Sequence, residues 1–228
     1  MAKLIKKNTG KLYAHLVVDE SGSMMADRNQ TVEALNEYLT SVDQESTSVS
    51  ITFFEGDKIK NVCECVSPTE AKRHVDEYQP NGMTNLFDAI GESIKFIDKK
   101  VKLEKNEAVA FVVITDGHEN HSKEFKADDI KKLISQKEND DWLMIYLGAD
   151  QDGFAAGMNY GFKGDYSATF NKSNLRGTFS DLASRNSAFA ASSASVGSAA
   201  AKMDAIYSDS DRKELVKNKN TSTSKASA

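Results

Sequence analysis

Leu16-Val17-Val18-Asp19-Glu20-Ser21-Gly22-Ser23-Met24 is the stretch from which the rest of the chain can be understood. An apolar run stops at an aspartate, and two serines follow at a spacing of two. The run closes Lys11 to Val18, whose end is wholly apolar, as in a strand covered on both faces of a sheet. Beyond the serines, Thr31 to Val42 places Val32, Leu35, Leu39 and Val42 at helical spacing. The order is strand, loop, helix, with a carboxylate and two hydroxyls in the loop. Hard ions such as Mg²⁺ bind through a few such oxygens and keep several waters, so this short loop needs donors from elsewhere in the chain.

The following segments supply them. Val49 to Phe54 is β-branched and aromatic, and the turn Glu55-Gly56-Asp57-Lys58 leads into Ile59 to Val66, which predicts a hairpin. Ser67-Pro68-Thr69-Glu70 opens a short helix with proline in its first turn. The loop Gln79 to Thr84 precedes a helix over Leu86 to Ile97. Ala108 to Ile114 is a continuous apolar run, expected as a central strand, and it ends in Thr115-Asp116-Gly117. A helix over Ala127 to Gln136, a buried strand over Trp142 to Leu147, a loop with a short helix up to Gly161 and an outer strand over Asp165 to Phe170 complete the pattern. Strands alternating with helices, plus one early hairpin, predict an α/β fold: an open, doubly wound, mostly parallel sheet flanked by helices, with one antiparallel edge strand.

Four regions are expected: a lead over residues 1–10, the α/β domain over 11–182, an Ala/Ser-rich helix over 183–207 and a flexible polar tail over 208–228. In the helical region Leu182, Phe189, Val196 and Met203 recur every seven residues. Such a stripe suits a last helix lying against the sheet. It also suits a seam for a second copy or partner, because small neighbours permit close approach.

Composition narrows the function. With 29 basic and 34 acidic residues the formal charge is −5, and no basic stripe or arm marks a nucleic-acid footprint. Met1 to Lys7 is basic, but Asn8-Thr9-Gly10 stands where a signal peptide needs its apolar core, and no run has the length of a membrane span. Cys63 and Cys65 are too close for a useful disulfide loop, and strand alternation puts both on one face. The expected setting is the cytoplasm, free or within a larger assembled particle.

In an open α/β sheet, ligands bind at the carboxyl ends of strands where the winding reverses. Asp19 and Asp116 each end a predicted strand, and adjacency of those strands brings both carboxylates to one rim with Ser21 and Ser23. Thr84, just before a helix, is the fifth oxygen candidate; its hydroxyl can cap that helix or face an ion. Asn120 is expected to organise its loop with its amide.

Asp19-x-Ser21-x-Ser23, followed by Gly82-Met83-Thr84-Asn85 and Thr115-Asp116-Gly117-x-x-Asn120, resembles the metal-ion-dependent adhesion site of von Willebrand factor type A domains. The resemblance covers roughly residues 11–170 plus a closing helix, and Gly148-Ala149-Asp150-Gln151-Asp152 resembles small stand-alone bacterial and phage members. It implies Mg²⁺ or Mn²⁺ bound directly by Ser21, Ser23 and, in the liganded form, Thr84, with Asp19 and Asp116 acting largely through waters. It further implies an open position filled by a Glu or Asp carboxylate of a protein partner. No catalysis is expected. The alternative is an assembly protein that oligomerises through its C-terminal helix, with the metal only ordering loops.

Other chemistries fit the spacing poorly. His118-Glu119-Asn120-His121 has two residues between its histidines where a zinc protease has three. Cys63, Cys65 and His74 lack a fourth zinc ligand at suitable spacing. An aspartyl phosphatase needs an acid/base carboxylate two residues after its nucleophile, where Ser21 stands. Gly22-Ser23 is not followed by the lysine of a phosphate-binding loop.

Overall fold

The computed structural model describes residues 10–104, 106–149, 153–196 and 198–217, with the side chains of 195, 196, 198 and 199 excepted. Among them six strands form one sheet: β1 (Lys11–Asp19), β2 (Thr47–Glu55), β3 (Lys58–Val66), β4 (Glu107–Thr115), β5 (Leu143–Ala149) and β6 (Ser167–Phe170). The helices are α1 (Arg28–Ser41), α2 (Pro68–Ala71), α3 (Leu86–Lys100), α4 (Ala127–Asn139), α5 (Gly153–Tyr160), α6 (Leu175–Val196), α7 (Ser198–Ala201) and α8 (Asp209–Leu215). The sheet order is β3-β2-β1-β4-β5-β6. All neighbours run parallel except the β2–β3 hairpin, so the antiparallel strand is an edge strand as expected.

Strand alternation divides the interior into two cores. Leu12, Ala14, Leu16 and Val18 of β1 and Ala108, Ala110, Val112 and Ile114 of β4 face α1 and α6. Val17, Val109, Phe111 and Val113 face α3 and α4. Both faces of β1 and β4 are therefore covered, which is why their sequences are almost continuously apolar. The chain turns from β1 to β2 on one side and reaches β4 on the other, so the winding reverses between β1 and β4. Their carboxyl ends are the place where such a sheet opens a crevice.

The expectation that Cys63 and Cys65 share a face is corrected. Val49 pairs with Val66 and Ile51 with Cys63, an extra residue on β3, and Cys65 takes φ 51°. This bulge shifts the alternation by one. Cys63 is buried in the core that includes residues of α1 and α6, whereas Cys65 packs on the opposite core and its N–H donates to Ser50 Oγ at 2.8 Å.

The C-terminal region also differs from its expected division. Helix α6 buries Phe179, Leu182, Ala183 and Phe189, and Asn186 donates to the Tyr38 hydroxyl of α1 at 2.9 Å. Leu182 and Phe189 are thus consumed within the chain, Met203 is 69% exposed, and the Val196 side chain lies outside the described residues. Within the polar stretch expected as a flexible tail, Asp209–Leu215 is helical and packs on β6. Ser208 Oγ accepts from Asp211 N–H, the Asp211 carboxylate accepts from Ser208 N–H, and Leu215 is 4% exposed. One apolar residue carries no periodicity, but the Ser208-x-x-Asp211 cap was the available signal. Residues 218–228 and Asp150 to Asp152 lie outside the described residues.

Candidate metal centre

The β1–β4 register builds the rim. Val18 pairs with Ile114, so Asp19 and Thr115 follow side by side where the strands end. Asp19 is fully buried; its Oδ1 accepts Ser21 N–H at 2.7 Å and its Oδ2 accepts the Thr115 hydroxyl. Its main-chain carbonyl accepts the Tyr78 hydroxyl at 2.6 Å. Beyond it the chain bends into a 3₁₀ turn, Gly22–Asp27. Ser21 Oγ then lies 3.1 Å from Ser23 Oγ, and Ser23 donates to Asp116 Oδ1 at 2.6 Å. Ser21 is buried while Ser23 is exposed, which leaves one side of the group open to solvent.

Thr84 is delivered by a loop pinned at several points. The Glu20 carboxylate accepts Gln79 N–H, and its carbonyl accepts Asn81 N–H at 2.7 Å. Gly22 N–H donates to the Gly82 carbonyl at 3.1 Å, and Gly82 takes φ 69°, a conformation that favours glycine. Asn120 holds Thr84 from both sides: its Oδ1 accepts Thr84 N–H at 2.9 Å and its N–H donates to the Thr84 carbonyl at 3.1 Å. Asn120 is thus a loop-organising amide. A methyl placed on Gly117 would lie 2.9 Å from Thr84 Oγ1 and 3.5 Å from Asp19 Oδ2, so these two oxygens and the Gly117 backbone crowd one spot.

The structure therefore brings Asp19, Ser21, Ser23, Thr84 and Asp116 together from three loops. Among the described residues no three His, Cys, Asp or Glu side chains converge as a metal cage. The group here holds two carboxylates and three hydroxyls, a donor set suited to a hard divalent cation that retains waters. Burial, the largest effect, drives the Asp19 pKa up to about 6; the Ser21 and Thr115 hydrogen bonds pull it down, and Asp116 pushes it up again. A buried carboxylate destabilised in this way gains from a nearby cation. The residues fit the ion that the sequence pattern implies.

One cation of the chain itself already reaches the group. Lys172, in the 3₁₀ turn Lys172–Asn174 after β6, places Nζ on Asp116 Oδ2, 3.2 Å from Asp27 Oδ2 and 3.4 Å from the Ser23 carbonyl. Burial works against its charge, yet Asp116 and Asp27 hold its pKa above the ordinary lysine value. Sequence reasoning missed Lys172 and Asp27, because the contact joins positions 56 residues apart at the ends of β4 and β6, with β5 between them in the sheet, and no local spacing encodes it.

The other metal-like motifs have structural uses. The Glu119 carboxylate accepts the N–H groups of Phe87, His121 and Ser122, and the His121 ring meets Asp57 at 3.0 Å. His74 pairs with Glu77 at 2.7 Å, while Cys63 lies in the core.

A search of curated protein sequences finds no match. Solved structures do match in fold. Proximal thread matrix protein 1 from the mussel byssus aligns with TM-score 0.60 and 15% identity over 78% of this chain and 46% of that one. The chain thus spans less than half of that relative. Its form with a zinc-occupied MIDAS motif aligns with TM-score 0.57 and 15% identity, over 78% and 47% of the two chains. The manganese-loaded TRAP protein of Plasmodium vivax aligns with TM-score 0.58 and 17% identity, over 75% and 72%. At such identities the likeness shows the fold. The family model for the von Willebrand factor type A domain matches residues 15–185, well over half of the sequence, and the chain belongs to that family.

Proposed function

We propose that this chain is a divalent-metal-dependent protein-capture module. Ser21, Ser23 and Thr84 hold Mg²⁺ or Mn²⁺ directly, and Asp19 and Asp116 hold it largely through waters. When bound, the ion supplies an electrophilic centre that accepts a Glu or Asp carboxylate from a protein partner. The observation that carries this reading is the convergence of five oxygens at the β1–β4 switch point with one side open. Few charges among the direct ligands leave the ion electron-poor, which favours an incoming carboxylate. The manganese-loaded and zinc-occupied relatives support a divalent ion in this fold.

The chain's own residues hold and orient. Asn120 and Glu20 fix the loop that bears Thr84, and Thr115 fixes the Asp19 carboxylate. Met25 and Met83, 59% and 48% exposed, stand in the loops that carry Ser23 and Thr84 and give the partner apolar surface beside its carboxylate. No acid–base pair is needed for this role, and the reading is of a binding module. The assembly alternative loses support because Leu182 and Phe189 of its supposed seam are buried against the chain's own core.

Affinity capture with the immobilised protein tests the proposal. Partner recovery in Mg²⁺, its release by chelator, and its loss in Asp19→Ala and Thr84→Ala are expected. Retention in chelator and in Asp19→Ala would overturn it.

A further inference from the structure

We infer that Lys172 is a built-in competitor for the metal, a tethered ammonium that occupies Asp116 when the ion is absent and must leave it for the ion to load. The inference rests on the metal-site reading above and adds how loading is opposed.

Both oxygens of Asp116 are engaged from within the chain. Oδ1 takes the Ser23 hydroxyl at 2.6 Å, and Oδ2 takes Lys172 Nζ. The Asp116 side chain is 1% exposed and that of Lys172 21%, so solvent screens this pair weakly. The same ammonium lies 3.4 Å from the carbonyl of Ser23, whose hydroxyl is a proposed metal ligand. An ion placed among the hydroxyls of Ser21 and Ser23 therefore enters beside an existing positive charge. It must also share or take a carboxylate that this charge holds.

A second resting place is already built. Asp27, at the end of the turn that starts with Gly22, lies 3.2 Å from Nζ with its side chain 19% exposed. The ammonium can move toward Asp27 without becoming unpaired, so loading costs the lysine no bare charge. The backbone of Lys172 is held in place meanwhile. Asn171 N–H donates to the Leu215 carbonyl at 3.0 Å, and Asn171 Oδ1 accepts Ser173 N–H at 2.9 Å. Helix α8 thus anchors the root of the competing side chain at the metal rim.

Mn²⁺ titration of the chelator-treated protein, followed by the electron paramagnetic resonance signal of free Mn²⁺, tests this. Lys172→Met should bind Mn²⁺ about tenfold or more tightly than the wild type, since removing a neighbouring like charge favours the cation. Lys172→Arg, which keeps the charge, should stay near the wild type. A readout without substitution accompanies it: acetylation of Lys172, followed by mass spectrometry, should speed up when Mg²⁺ saturates the wild type. Equal or weaker binding by Lys172→Met, or unchanged acetylation in Mg²⁺-saturated protein, overturns the inference while leaving the metal site standing. Absence of Mn²⁺ binding by all three proteins overturns the metal-site reading and the inference with it.

Discussion

Asp19→Asn should stabilise the chain in chelator and abolish its response to metal. The carboxyl is fully buried, and its pKa rises from 3.8 to about 6 chiefly through desolvation. At pH 7 the folded protein therefore carries a charge it would rather not hold. A rise of about two units corresponds to roughly 3 kcal/mol of lost stability above the folded pKa. The sign follows from proton binding: the folded state holds this proton more tightly than the unfolded chain, so the penalty shrinks as pH falls through about 6 and is gone below the unfolded value of 3.8. Asparagine keeps the shape. Its oxygen accepts Ser21 N–H, and its amide donates to Thr115 Oγ1, whose own hydrogen can turn to the Gly117 carbonyl 3.3 Å away. Urea unfolding of both proteins in chelator should show the variant ahead by about 2–3 kcal/mol at pH 7, with the gap closing toward pH 4. In Mg²⁺ at about a hundred times the dissociation constant, the wild type alone should gain roughly 2.7 kcal/mol. A variant less stable than the wild type in chelator at pH 7, or a gap that ignores pH, would mean that the buried Asp19 charge does not destabilise the fold.

Two further substitutions probe separate parts of the structure. Gly117→Ala sets a methyl 2.9 Å from Thr84 Oγ1 and should weaken Mn²⁺ binding by about tenfold or more with an unchanged circular dichroism spectrum, whereas wild-type affinity would show that Thr84 does not face the ion. Leu215→Ala should cost about 2–3 kcal/mol in urea unfolding, because a buried leucine leaves a cavity between α8 and β6; a neutral result would mean that 209–215 does not pack as described.

How far the sequence could be followed varies with the range of the signal. β1, β4 and β5 were legible because burial on both faces writes a continuous apolar run, and Asp19 at the end of β1 and Asp116 just after β4 marked the candidate site. Asn120 could be placed because it sits in the same short motif as Asp116. The bulge at Cys65 was not legible, since the extra residue on β3 shows only in the pairing with β2, which no local spacing in the sequence records. Helix α8 was hidden by a polar sequence whose single buried contact, Leu215, gives no period. Lys172 was hidden by topology: it joins the ends of β6 and β4, and only the folded sheet brings them together.

The most direct test is a crystal soaked in Mn²⁺ and examined for its anomalous signal. One strong peak is expected among Ser21 Oγ, Ser23 Oγ and Thr84 Oγ1, at about 2.0–2.4 Å from its direct ligands. Asp19 and Asp116 should lie a water further out, with one position open to solvent. A map with no peak there, or with the ion held instead at His121 and Asp57, would contradict it.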